Sequence, residues 1–332
     1  LSIHSTSLPK KQALSFPGKL SISKSGKIAV SDSNHNRILV TDTSGNILHI
    51  IGSGKIGLVD GNFTTAQFFR PQGVVWNDDV LIVADTENHA IRKIDFIQNE
   101  VITLAGTGKQ VPWRSSGGKG TSTSISSPWD VACKDNLVYI AMAGNHQIWT
   151  YDIQSQMVLP FAGTGQENII DGHVKSAQLA QPSGLYLYGN NLYFADSEVS
   201  AIRKIDLMQG TVQSIVGHGL FEFGHEDGSI DNALLQHPLG LCATADTIFV
   251  ADTYNSAIRV IDLKANQVYT LIGKSEKETV CLPENPQCDI LALYEPSDVE
   301  LYDGKLYIAD TNNHLIRIFD IKTNSLSTLE IK

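Results

Sequence analysis

Six copies of one 13-residue string, in a chain with no long stretch of helical apolar period, predict an all-β fold: a six-bladed β-propeller with four antiparallel strands per blade. The copies run Val30–Asp42, Val83–Asp95, Ile140–Asp152, Phe194–Asp206, Val250–Asp262 and Ile308–Asp320; the second reads VADTENHAIRKID. Their third residues, Asp32, Asp85, Met142, Asp196, Asp252 and Asp310, lie 53, 57, 54, 56 and 58 residues apart, one supersecondary unit per repeat. A proline travels with each marker: Pro17, Pro71, Pro128, Pro182, Pro238 and Pro296 precede it by 14 residues, or 15 in the first unit.

Residues 1–15 carry no repeat and read as an N-terminal linker or edge segment. The first residue is Leu rather than Met, which suggests a processed chain or an excised piece. Residues 16–332 form the propeller, with blades near 16–55, 70–108, 127–165, 181–218, 237–274 and 295–332. Within a unit, strand a follows the proline (GVVWND, GLYLYG), b ends at the marker (DVLIVAD, NLYFAD), c follows it (AIRKID, AIRVID) and d closes the unit (VITLAG, VQSIVG). These runs are rich in Val, Ile, Leu and Tyr and are bounded by Asn, Asp, Gly and Ser. Proline suits the entry to strand a, because a first strand residue need not donate to the ladder. Alternating strand direction puts the b–c turns and the d-to-a linkers on one face, with strand a lining a central channel. Three linkers repeat Asp-Gly followed by Ala: Asp60-Gly61 with Ala66, Asp171-Gly172 with Ala177, and Asp227-Gly228 with Ala233. The last unit has its own strand d, so the ring is expected to close without an N-terminal strand.

Hydrophobic content of 42% against 18% charged residues marks a globular chain rather than a disordered one. Net charge is −10, and no Lys/Arg run is longer than Lys10–Lys11, so no nucleic-acid partner is expected. There is no run of about 18 apolar residues, hence no membrane span, and no secretory signal is visible at the start. Cys133 and Cys242 sit in apolar strand patterns as small core residues. Cys281 and Cys288 bracket LPENPQ in a linker. They are either a disulfide, which favours an extracytoplasmic site (periplasmic or secreted), or two free thiols of a cytoplasmic protein.

The recurring Asp reads as architecture, its carboxylate accepting backbone N–H groups in the b–c turn. Arg92, Arg203, Arg259 and Arg317 follow the marker by seven residues and are expected to form buried ion pairs with it. Blade one has Leu39 there, with Arg37 two earlier; blade three loses both partners, to Met142 and Trp149. A departure confined to one sector is where purpose is sought. Blade three also has Asp130 where Gly73, Gly184 and Gly240 stand elsewhere, an exchange shared only by Asp298 of blade six. The candidate binding site is therefore Trp129, Asp130, Asn145, His146 and Trp149, with His89, His314 and Asp298. The competing reading is that Met142 and Trp149 refill the volume of a lost ion pair. His89, His146 and His314 share one turn position, filled by Asn36, Ser200 and Ser256 in other blades. They are turn residues or, alternatively, a Zn²⁺ set, and Asp130 with Asp298 is a candidate Ca²⁺ pair. No catalytic residue is assigned, and no nucleophile-elbow, zincin or phosphate-loop motif is present.

The Pro-x-Gly entry, the Ala-Asp-Thr-x-Asn-His turn and the following Ile-Arg resemble the NHL repeat family from Phe16 to the end. The strings SFPGKL, FRPQG, SSPWD, IAMAGNHQIW and IADTNNHLIR are similar, within it, to the NHL repeat-containing protein 2 family. There a thioredoxin-like domain precedes the propeller and a small β-domain often follows. The resemblance implies a non-catalytic interaction role as part of a thioredoxin-associated protein; the chain is accordingly expected to be a scaffold that binds a protein or peptide, and is also expected to be monomeric and without cofactor. The alternative is a metal-dependent propeller enzyme, of lyase or lactonase type, with its site in the channel.

Overall fold

Six antiparallel sheets arranged as the blades of a ring make up the computed structural model, which describes residues 13–110, 115–273 and 293–332. Blade two shows the pattern. Its strands a to d are Val74–Asn77, Val80–Asp85, Ala90–Asp95 and Glu100–Ala105, each paired with the next. Strand a is innermost and lines the channel.

Four blades have a fifth, outer strand that the repeat did not announce. A two-residue piece of the incoming linker pairs with strand d: Gly61–Asn62, Gly118–Lys119, Gly172–His173 and Gly228–Ser229. Each linker thus ties the blade it leaves to the blade it enters. Blade one receives the same tie from the C-terminus. Strand d of blade six stops at Thr328, and Lys332 then donates to Gly45 O at 2.9 Å and accepts from Ile47 N at 3.1 Å. The blade-six linker, with Cys281 and Cys288, lies outside the described residues.

Strands b and c are apolar on both sides because each blade is covered by its two neighbours. Every large core cluster mixes consecutive blades; the one that shuts the ring joins Leu20, Ile28 and Leu39 to Tyr307, Ala309 and Ile316. Leu14 enters that cluster, so the described end of the N-terminal segment packs as an incoming linker does. Close approach of neighbouring a strands explains the glycine after Pro-x. A Cβ on Gly73 would lie 2.5 Å from Asp130 Cα, and one on Gly240 would lie 2.5 Å from Ser297 O. Among the described residues no helix is long and apolar enough to cross a membrane.

Candidate functional site

The b–c turns carry most of the recurring polar residues. Each is a single 3₁₀ turn closed by a left-handed residue: Asn36, His89, His146, Ser200, Ser256 and His314, with φ between 46° and 59°. The marker Asp is fully buried just before it. Its Oδ1 accepts a backbone N–H, not from the turn as expected but from the incoming linker: Phe69 N to Asp85 at 2.8 Å, Gln236 N to Asp252 at 2.7 Å. Its Oδ2 takes the arginine, at 2.8 Å for Arg92, 2.7 Å for Arg203 and 2.8 Å for Arg259. The second guanidinium nitrogen reaches the linker aspartates Asp60, Asp171 and Asp227, which accounts for the repeated Asp-Gly. In blade one Arg37 comes from two residues earlier and still meets Asp32, at 2.7 Å. Burial lifts Asp85 and Asp252 to about 6, while the adjacent guanidinium pulls the other way.

The remaining turn residues bind the next blade. The Ser or Thr after the marker donates to the carbonyl of the next proline: Ser33 to Pro71 (2.6 Å), Thr86 to Pro128 (2.7 Å), Ser197 to Pro238 (2.6 Å), Thr253 to Pro296 (2.8 Å) and Thr311 to Pro17 (2.8 Å). The closing residue accepts the N–H just before that proline. Asn36 takes Arg70 N, His89 takes Ser127 N, Ser200 takes His237 N, Ser256 takes Glu295 N, and His314 takes Phe16 N. Burial depresses the His89 pKa, which favours the neutral ring that such an acceptor must be. These two histidines are thereby structural residues with Nδ1 occupied.

Blade three breaks the pattern three times. Met142 and Trp149 are fully buried in one cluster and fill the place of the ion pair, the indole donating to Gln147 Oε1 at 2.9 Å. Ala143 has no hydroxyl to offer Pro182. His146 Nδ1 is buried without a hydrogen-bond partner among the described residues. Asn145 is buried as well, and Trp129 is half-buried. The expected gathering of Trp129, Asn145, His146 and Trp149 therefore presents little surface, because Trp149, one of its two indoles, is sealed inside the blade.

Asp130 and Asp298 do meet, in the channel and through a third residue. Lys19 holds the same strand position in blade one; its buried Nζ lies 3.6 Å from Asp130 and 4.0 Å from Asp298 and donates to the Leu239 and Ser297 carbonyls. The carboxylates also accept backbone N–H groups, Leu185 N on Asp130 at 2.8 Å and Leu20 N on Asp298 at 3.0 Å. An ammonium thus occupies the ground where Ca²⁺ was considered. Among the described residues no group of three or more His, Cys, Asp or Glu is placed to hold a metal ion. The signal for Lys19 was legible: the row after Pro-x reads Lys19, Gly73, Asp130, Gly184, Gly240, Asp298.

Beyond this plug, a cavity of about 630 Å³ opens toward the a–b turns, walled by Ser21, Val75, Tyr186, Leu187 and Glu300 among others. The opposite face, of b–c turns and linkers, carries exposed aromatics instead: Phe221 (89% exposed), Phe223 (53%), Tyr254 (56%) and Tyr294 (54%), from blades four to six. Tyr254 stacks on His237 with centroids 4.4 Å apart, and Phe16 meets His314 edge-on at 4.3 Å. The two thiols among the described residues are poor nucleophiles: burial pushes Cys133 up to about 12 and Cys242 upward too.

No protein-family model matches the chain. It is 41% identical over 333 residues to NHL repeat-containing protein 2 of Gallus gallus, an alignment covering 90% of this chain and 45% of that protein. It is 42% identical over 331 residues to Protein SUPPRESSOR OF QUENCHING 1, chloroplastic, of Arabidopsis thaliana, covering 91% of this chain and 31% of that one. The chain thus spans less than half the length of either relative. Among solved structures, an inactive virginiamycin B lyase from Staphylococcus aureus with quinupristin has a TM-score of 0.56 at 12% identity, covering 98% of this chain and 87% of that one. That likeness is one of fold.

Proposed function

The chain belongs to the NHL repeat family, as NHL repeat-containing protein 2 does, and from that premise we propose that it is a non-catalytic propeller that binds a protein or peptide on its b–c turn face. The observation that carries this reading is the arc of exposed aromatics, Phe221, Phe223, Tyr254 and Tyr294. Exposed aromatic rings on a rigid frame are what protein interfaces use as anchors, and contiguous apolar surface is disfavoured on a free molecule. The turns beneath are rigid because their polar atoms are spent on neighbouring blades, so little ordering entropy opposes docking. Trp129 and His146 extend the same face into blade three. The resemblance noted from sequence supports a setting within a larger thioredoxin-associated protein.

Photocrosslinking tests the assignment. A benzophenone amino acid at Phe221 is expected to capture a defined protein. The same group at Met208, on the c–d turn of the opposite face, is expected not to. Phe221→Ser with Phe223→Ser should abolish capture while leaving the unfolding midpoint unchanged. Equal capture from both faces, or capture indifferent to those substitutions, would overturn the reading.

A further inference from the structure

The channel cavity holds an arrangement that the partner face does not use. Its inner end is the Lys19–Asp130–Asp298 plug, and two residues beyond Asp298 on the same strand stands Glu300. Glu300 lines the cavity and has no hydrogen-bond or ion-pair partner among the described residues, whereas Asp130 and Asp298 each have a backbone N–H and Lys19. Three carboxyl groups therefore share one ammonium in a space of about 630 Å³ open at one end. The other titratable groups nearby, Tyr186, Cys133 and Cys242, bring no positive charge. Rim residues Asp78 and Asp79 add negative charge at the mouth, against Lys24.

We propose that this cavity is a binding site for an organic cation, a primary ammonium or guanidinium group that enters from the a–b turn face and pairs with Glu300. The wall suits such a ligand. Val75, Leu187 and the Tyr186 ring offer apolar contact to an alkyl stem, and the carboxyl waits at depth for the charged head. Burial and, behind it, the carboxylates of Asp298 and Asp130 hold the Glu300 pKa above the usual carboxylate range, and Asp298 itself is lifted to about 7. A cation seated at Glu300 supplies the missing counter-charge and favours the ionised carboxyl.

That pairing gives a readout that needs no variant. Titration calorimetry of the wild-type protein with agmatine across pH should show saturable binding that tightens as pH rises, because the cation pairs with the ionised carboxyl. Ac-Gly-Arg-Gly-NH₂ run in parallel separates the sources. Binding of the peptide points to a side chain of a partner, and binding of agmatine alone points to a free amine; either supports the site. Glu300→Gln should weaken binding by about ten- to a hundred-fold, the loss of one charge-assisted hydrogen bond. No saturable binding of either probe, an affinity that does not rise with pH, equal affinity in Glu300→Gln, or binding of CaCl₂ in place of both probes would overturn the proposal.

Discussion

Replacing Arg259 by Ala is the sharpest test of how this ring is held. Arg259 is fully buried and donates four hydrogen bonds: to Asp252 at 2.8 Å, Asp227 at 2.7 Å, Leu234 O at 3.0 Å and Glu226 O at 2.8 Å. Truncation leaves Asp252 buried with only Asn255 and Gln236 N as donors. Stranding one charge of a buried pair costs about 3–5 kcal/mol. The urea midpoint should fall accordingly, with the slope unchanged. The pH dependence carries a sign. Asp252 already titrates near 6 in the folded state, and without the guanidinium it holds its proton to higher pH. A carboxyl whose folded pKa is raised favours folding at low pH, and that contribution is lost as pH rises through the folded value. The deficit of Arg259→Ala relative to wild type should therefore be larger at about pH 8 than at about pH 5. Copying blade three, with Asp252→Met and Arg259→Trp together, should recover part of the loss, since it removes both charges and refills the space. An Arg259→Ala protein as stable as wild type, or one with the same deficit at both pH values, would refute the reasoning.

Thr253→Val removes the donor to the Pro296 carbonyl and should cost about 1–3 kcal/mol in denaturant unfolding, because the buried acceptor is left unpaired. Ala143→Ser supplies to the junction of blades three and four the hydroxyl that the other blades have. Ser197 shows that the turn accepts a serine there, so a gain of about 1 kcal/mol is expected in the same assay. Glu300→Gln should leave stability near neutral pH unchanged or raised. It should also flatten the decline in stability as pH rises above the ordinary glutamate pKa, since the wild-type fold holds the carboxyl proton more tightly than the unfolded chain does. Thermal melts across pH read this directly.

The ring, its six sectors and the order of strands were legible because repetition averages over local ambiguity: one strand pattern seen once is weak, and six in register leave little choice. The ion pair was legible for the same reason, since Arg259 keeps a fixed distance from Asp252. What the repeat conceals is any link between one unit and the next. Thr253, Ser256 and His89 look like turn residues of their own blade, and only the closed ring shows that they hold the blade after it. A repeat comparison also rewards the sector that departs most, and blade three departs most because apolar volume replaced a charged network. Met142 and Trp149 mark a substitution of one kind of packing for another, with His146 Nδ1 left over. The channel follows a different logic. Strand a brings one residue per blade to a common axis, so its chemistry is set by a column of six positions and not by any single copy. Lys19 in blade one is unremarkable by itself and becomes a counter-ion only when Asp130 and Asp298 arrive from blades three and six. Glu300, one layer further along, is the carboxyl for which the described residues supply no such counter-ion. A site of this kind is read by aligning the copies and comparing down each column, where the residues that differ in charge stand out against the glycines that the crowded axis demands.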